Sequence, residues 1–276
     1  MSRGWLARIG PARHAPYVLL VYATRAIAAF FVASLLTSVV TRFVGSWPAG
    51  AGVLLEPGGL MLAELVRLQR DALGLLLTQS GLVCIAMIPV GIVTSTLLMV
   101  SLAAAGRIGF ARALHRCGVH LGPMVTAYAV MICLQIAVAW FMYTVASLLS
   151  FKLTAALGVR GGDIARVGLI AVGLCAAAGV SIVHDLVRAS IVGGNRGTLA
   201  GISHGWRTAR LRLWQVLVAF WPRGAGAVLV ALLCFLLARS GGSTGVLAFA
   251  WQLGALCVVS LRASWLGRAL ELVREV

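Results

Sequence analysis

Six apolar runs punctuate this chain, near residues 17–44, 81–105, 122–150, 167–187, 222–239 and 244–262. Each approaches or exceeds the roughly 20 apolar residues that a helix needs to cross a bilayer. The first and third are long enough to tilt. The pattern predicts an all-α fold, a polytopic bundle of about six transmembrane helices in a single membrane domain over 1–276. Residues 26–44 exceed the apolar core of about 7–15 residues found in a cleaved leader, so the first run reads as a helix that stays.

The polar positions give the topology. Arg3, Arg8, Arg13 and Arg25 stand before the core of the first run, and Arg107, Arg112 and Arg116 lie between the second and third. Arg188, Arg196, Arg207, Arg210, Arg212 and Arg223 lie between the fourth and fifth, and Arg262, Arg268 and Arg274 follow the sixth. These put 16 basic residues on one side. Arg42, Arg67, Arg70, Lys152, Arg160, Arg166 and Arg239 make 7 on the other. Basic residues accumulate on the cytoplasmic side, so both termini are expected in the cytoplasm of a bacterial inner membrane.

Three basic amphipathic stretches precede prolines that would open a span: Pro16, Pro123 and Pro222. Proline suits the first turn of a helix, where its missing N–H had no partner. Before Pro222, Leu199, Ile202, Trp206, Ala209, Leu213 and Val216 recur at helical spacing, with Ser203, Arg207 and Arg210 opposite. Before Pro123, Phe110, Leu114, Cys117 and Leu121 form a similar stripe beside Arg112 and Arg116. Such helices lie in the interface with arginines toward anionic headgroups. The expected architecture is three hairpins, each entered through a surface helix. Between the first two runs, Glu56-Pro57-Gly58-Gly59 signals a turn. Beyond it, Glu64, Arg67 and Asp71 can pair on one face while Leu62, Leu65, Val66, Leu73 and Leu76 fill the other, which predicts an outer surface helix.

Composition agrees with the pattern. The chain is 61% hydrophobic and 11% charged, with a mean hydropathy of +1.00. Soluble domains hold about 45–50% apolar and about 25% charged residues, so lipid must cover part of this surface. The net charge of +16 would also suit nucleic acid. The arginines flank apolar runs instead of forming one solvated face, which favours lipid headgroups over nucleic acid. Six cysteines without a C-x-x-C spacing give no disulfide framework and no zinc set. No cofactor is expected.

Candidate chemistry is sparse. Gly201-Ile202-Ser203-His204-Gly205 matches G-x-S-x-G, but a nucleophile elbow needs a strand before its serine, and this match sits in a helical pattern. His115, Cys117 and His120 fall too close together on one helix to converge on a metal. His184-Asp185-Leu186-Val187-Arg188 is the most informative cluster. Asp185 is the sole acid between Asp163 and Glu271, and it can pair with Arg188 one turn on. The expected role is a staple at the end of the fourth span. The competing role is contact with a headgroup or substrate, helped by amides of the Gly193-Gly194-Asn195-Arg196-Gly197 loop. Gln135 and Gln252 are the main polar side chains within spans, and Arg25 can snorkel toward the cytoplasmic side. Gly173, Ala177, Ala178, Gly179 and Ser181 mark the fourth span as a small-residue helix suited to central packing.

Pro57-Gly58-Gly59-Leu60 followed by Ala63-Glu64-Leu65-Val66-Arg67, with His184-Asp185-Leu186-Val187-Arg188 before a glycine-bearing basic helix, resembles a group of six-span membrane proteins in GC-rich bacteria such as the myxobacteria. Arg25 departs from that group, where an uncharged residue is expected. The group has no assigned activity, so the resemblance implies topology alone.

Three functional classes remain. The first is a non-catalytic assembly or accessory membrane component, with other membrane subunits as partners. The second is a small permease or lipid-handling protein working through the central helices. The third is a membrane-embedded enzyme using His184 and Asp185. The scarcity of ionisable groups inside the spans argues against an ion-coupled pump.

Overall fold

The computed structural model describes residues 11–44, 64, 67–104, 106–239 and 244–276. The expected turn at 56–59 lies outside them, as do Leu62, Leu65 and Val66. Among the described residues every extended element is an α-helix: α1 Pro11–Val44, α2 Arg70–Ala103, α3 Phe110–Gly194, α4 Thr198–Leu211, α5 Leu213–Arg239 and α6 Thr244–Arg274. Inside α3, Gly158 leaves the helix at φ 71 and ψ 176. That backbone region is open to glycine and strained for other residues. Six stretches are long and apolar enough to cross a membrane: His14–Arg42, Arg70–Ala103, Phe110–Ala156, Val167–Gly194, Leu213–Leu237 and Gly245–Arg274. They answer one for one to the six apolar runs. The fold is a helical bundle of membrane type.

Large apolar side chains stand outward along these helices. Phe30, Leu77, Trp140 and Phe249 are each at least 70% exposed. In water such a surface would drive aggregation; in a bilayer it is the ordinary solvent contact.

The prolines differ from expectation. Pro16, Pro123 and Pro222 all lie inside helices, as does Pro89. The stretch before Pro123 runs straight into the third span, so it is no separate surface helix. A proline breaks one backbone bond, but in a membrane no water competes for the others, and the helix persists. The separate helix before the fifth span is α4. It ends at Leu211, and Leu213 and Val216 already belong to α5. Of the expected outer surface helix, Glu64, Arg67 and Leu68 are helical, and a turn at Gln69 separates them from α2. The Arg67–Glu64 pair forms at 2.7 Å, but Asp71, Leu73 and Leu76 are part of α2, which continues unbroken into the second span.

The chain divides into two compact units. Both are built partly from α2, α5 and α6, because the unit boundaries fall inside those helices. One comprises residues 99–223 and 263–276 of the described chain. Its centre is the last third of α3. From Ile182 to Val192 nearly every residue is buried, including Leu186, Val187, Ala189 and Ile191 at 0% exposure. The burial expected of Gly173, Ala177, Ala178 and Gly179 thus falls two turns later, since those residues are half-buried or exposed. α3 closes on Asn195, in the left-handed region at φ 49 and ψ 46, with the Asn195 and Arg196 amides both donating to the Ile191 carbonyl. Asparagine tolerates that conformation better than most residues.

The other unit comprises Pro11–Leu98 and Gly224–Arg262. Tyr22 of α1 donates its hydroxyl hydrogen to Gln252 Oε1 of α6. α5 and α6 meet at Gly254, where an added Cβ would lie 2.6 Å from Cys234 Sγ. Small residues at such points let membrane helices approach closely.

Candidate functional site

The cluster read from sequence around Asp185 is assembled in the first unit. Asp185 is fully buried and Arg188 is 4% exposed. Arg188 Nη1 stands 3.5 Å from Asp185 Oδ1, one turn away on α3. A shorter contact comes from α6, where the Trp265 indole N–H donates to Asp185 Oδ2 at 2.7 Å. Trp265 is itself 1% exposed and meets Phe220 edge to face at 5.3 Å. The Arg188 guanidinium carbon lies 4.8 Å from the Tyr128 ring centroid, and the same ring meets His184 edge to face at 4.5 Å. A cation over an aromatic face contributes up to about 2 kcal/mol when water is excluded. One carboxylate therefore joins two stretches of chain 80 residues apart. The Arg188 pair was legible from the one-turn spacing. The Trp265 contact was not, because nothing local in the sequence links the two positions.

The final turns of α6 hold further long-range bonds. His204 Nε2–H donates to the Val273 carbonyl at 3.0 Å. Arg274 donates to the Ala103 carbonyl at 2.8 Å, and Arg223 Nε to Ser264 Oγ at 3.0 Å. Arg212 pairs with the Glu275 carboxylate and donates to its carbonyl.

The loop amides considered for phosphate contact are used differently. Those of Asn195 and Arg196 close α3, and the Arg196 side chain folds back to Ser190 Oγ at 3.4 Å. The G-x-S-x-G match is a packing motif. Gly201 and Gly205, four residues apart on α4, face α3, where added Cβ atoms would lie 2.5 Å from Ile191 Cγ1 and 2.7 Å from Val187 N. Ser203 is exposed on the opposite side, and His204 is engaged with Val273. Of the residues considered for a metal, Cys117 is buried while His115 is exposed. The arginines expected at the membrane interface, Arg112, Arg116, Arg207 and Arg210, are all exposed. Within α4 the apolar stripe read from sequence stands outward at Leu199 and Trp206, and departs from that reading at Ala209, which is buried against the protein. The protein-facing side of the helix is Gly201, Gly205, Thr208 and Ala209, while Leu199 and Trp206 are 83% and 59% exposed. The helix has three sectors: small residues toward α3, large apolar ones outward, and arginines beside them.

The second unit holds a cavity of about 560 Å³. Its walls are α1, α5 and α6. Tyr22, Arg25, Ala26, Ala29 and Ala33 contribute one helical stripe of α1, with Val230 and Cys234 from α5 and Trp251, Gln252 and Gly254 from α6. The lining is overwhelmingly apolar. Its polar members gather where Tyr22 meets Gln252, with Arg25 one turn further along α1. Arg25 lies eleven residues past His14, where its span begins. At 1.5 Å per residue that is about 16 Å along the axis, against a hydrocarbon thickness of about 30 Å. An arginine near the centre of a span costs about 2.5–3.5 kcal/mol on insertion scales. Sequence reading marked Arg25 and Gln252 as unusual separately. Their common cavity depends on packing between helices more than 220 residues apart, and it carries no local signal.

No protein family, no curated protein and no solved structure compared with this chain matches it.

Proposed function

We propose that the chain is a non-catalytic lipid-handling protein of a bacterial inner membrane, with both termini in the cytoplasm. The cavity among α1, α5 and α6 carries this reading. Ligand sites have volumes of about 300–1,000 Å³, apolar walls and a few placed polar groups. The cavity has that size and that lining, and it is built from membrane-spanning segments. A molecule reaching it from the bilayer would already be dissolved in lipid. The cavity moves the balance from an accessory subunit toward lipid handling. The buried polar groups at Asp185 and Trp265 face each other and serve cohesion in this reading. The 16-to-7 division of basic residues supports the orientation, and exposed Arg112, Arg116, Arg207 and Arg210 suit anionic headgroups at the cytoplasmic face.

Native mass spectrometry of protein purified in mild detergent tests the reading. One amphiphile per chain is expected to survive purification. Ala29→Phe, which fills the cavity from α1, should abolish that adduct while the variant still elutes as a single species. An adduct equally abundant in Ala29→Phe, or no adduct after gentle purification, would overturn the proposal.

A further inference from the structure

Resting on that reading, we infer that the cavity recognises one hydrocarbon tail of a bilayer lipid and leaves the headgroup outside, so that its substrate class is set by the chain and not by the head. The polar groups of the lining point this way. Tyr22 donates its hydroxyl hydrogen to Gln252 Oε1, and Arg25 is engaged within the protein. Each of the three therefore has a partner in the protein, and none calls for a counter-charge from the occupant. Arg25 and Gln252 are also exposed, which places them at the rim and clear of the floor.

The floor is built differently. Its buried members are Cys234, Gly254 and Val259. The Cys234 thiol donates to the Ala250 carbonyl at 3.6 Å, and the other two have no polar side-chain atom. A charged or hydrogen-bonding head placed there would lose its polar contacts with nothing in return. A hydrocarbon tail has none to lose, and apolar cavities of this kind take hydrocarbon guests.

The walls give the occupant its shape. Ala26, Ala29 and Ala33 repeat at spacings of three and four along α1 and share one face of the helix. The strip they make is about 10 Å long by helical rise. Its methyl groups leave a slot where larger side chains would close against α5 and α6, and Val230 and Val258 line it from those helices. At Gly254 an added Cβ would lie 2.6 Å from Cys234 Sγ and 3.3 Å from Val230 Cγ1, so α5 and α6 touch there and shut the floor. A tail passing from bilayer to slot exchanges one apolar surrounding for another, so selection rests on fit. A tail too short for the slot leaves wall atoms without contacts and loses their dispersion attraction.

The experiment titrates delipidated full-length protein in a neutral detergent, at an ionic strength that screens the surface arginines, and counts bound probes by native mass spectrometry. Palmitoyl lysophosphatidylglycerol and palmitoyl lysophosphatidylcholine share a tail and differ in head. Octanoyl lysophosphatidylcholine keeps the head of the second and shortens the tail. Both palmitoyl probes should bind one per chain, with Kd values within about threefold of each other. The octanoyl probe should bind at least about tenfold more weakly, a difference of about 1.4 kcal/mol. Ala33→Leu, which fills the end of the strip, should weaken both palmitoyl probes and leave the octanoyl probe where it was.

Binding of neither palmitoyl probe, or many probes per chain without saturation, would overturn the lipid-handling reading itself. A larger separation by head, or a smaller one by tail length, would overturn the inference and leave that reading standing. An unchanged palmitoyl affinity in Ala33→Leu would place the tail away from the alanine strip and overturn the inference too. Because head and tail are varied on the unaltered protein, the inference stays testable even where Ala33→Leu does not fold.

Discussion

Replacing Gly205 by alanine adds, net, one carbon and two hydrogens where the backbone of α3 approaches α4 closely. The new Cβ would stand 2.7 Å from Val187 N, 2.8 Å from Val187 Cα and 2.9 Å from Val187 Cγ2. Favourable carbon contacts begin near 3.5 Å, so α4 must retreat by roughly 0.7 Å. Val187 cannot yield, because two of the three atoms are backbone and the residue is fully buried. Overpacking of this kind costs about 1–3 kcal/mol. Alanine returns up to about 1 kcal/mol through its higher helix propensity. A backbone clash belongs at the upper end of the range, so the net loss is about 2 kcal/mol. For a chain of this length that lowers the melting temperature by about 4–8 °C. The assay is thermal unfolding in detergent, followed by the fraction that still elutes as a single species. Gly118→Ala supplies the control, since nothing lies within 4 Å of its Cβ position; it should melt at or slightly above the parent. Gly201→Ala should also melt below the parent, because its Cβ would lie 2.5 Å from Cγ1 of the fully buried Ile191. A Gly205→Ala protein that melts at or above the parent temperature would refute the packing role of this glycine.

Trp265→Phe keeps the ring and removes the indole donor to Asp185, so it should destabilise by about 1.5–3 kcal/mol, the range for a hydrogen bond to a charged group. Asp185→Asn should cost at least as much, and the double variant should fall well short of the sum, because both changes break one contact; strict additivity in detergent melts would show that the two do not act together. A reporter active only in the periplasm, fused after Val276, should be silent, and strong signal from it would reverse the topology. Ser203→Ala should leave the melting temperature within about 1 °C, as an exposed surface substitution does; a large loss would mean that the hydroxyl has a partner beyond α4.

The features legible in the sequence were those with a local period. Span positions follow from runs of about 20 apolar residues, and the Asp185–Arg188 pair from a spacing of one turn. Helix ends were misplaced where a rule from water was carried into lipid. Pro123 and Pro222 read as helix starts, yet both helices began well before them. Gly201 and Gly205 were visible as a spacing of four, but the serine between them drew attention to catalysis, and the glycines mattered for what they lack. Trp265 and the Arg25 cavity were hidden for a different reason. Each depends on which helices become neighbours, and a single sequence records the faces of helices without recording their pairings.

The bond between Trp265 and Asp185 also sets a clock. Ribosomes add about 5–20 residues per second, so the indole follows the acid by about 4–16 s over the 80 residues that separate them. During that interval α3 and α4 have been made, but the stretch from Ser264 to Glu275 that meets Arg223, Asp185, His204, Ala103 and Arg212 has not. The first unit therefore locks late in synthesis. Whatever shelters the polar end of α3 until then, whether headgroups, the insertion machinery or a chaperone, must release it when α6 arrives. Variants that weaken this lock should show their defect first in the yield of new protein, before any change in the endurance of protein already folded.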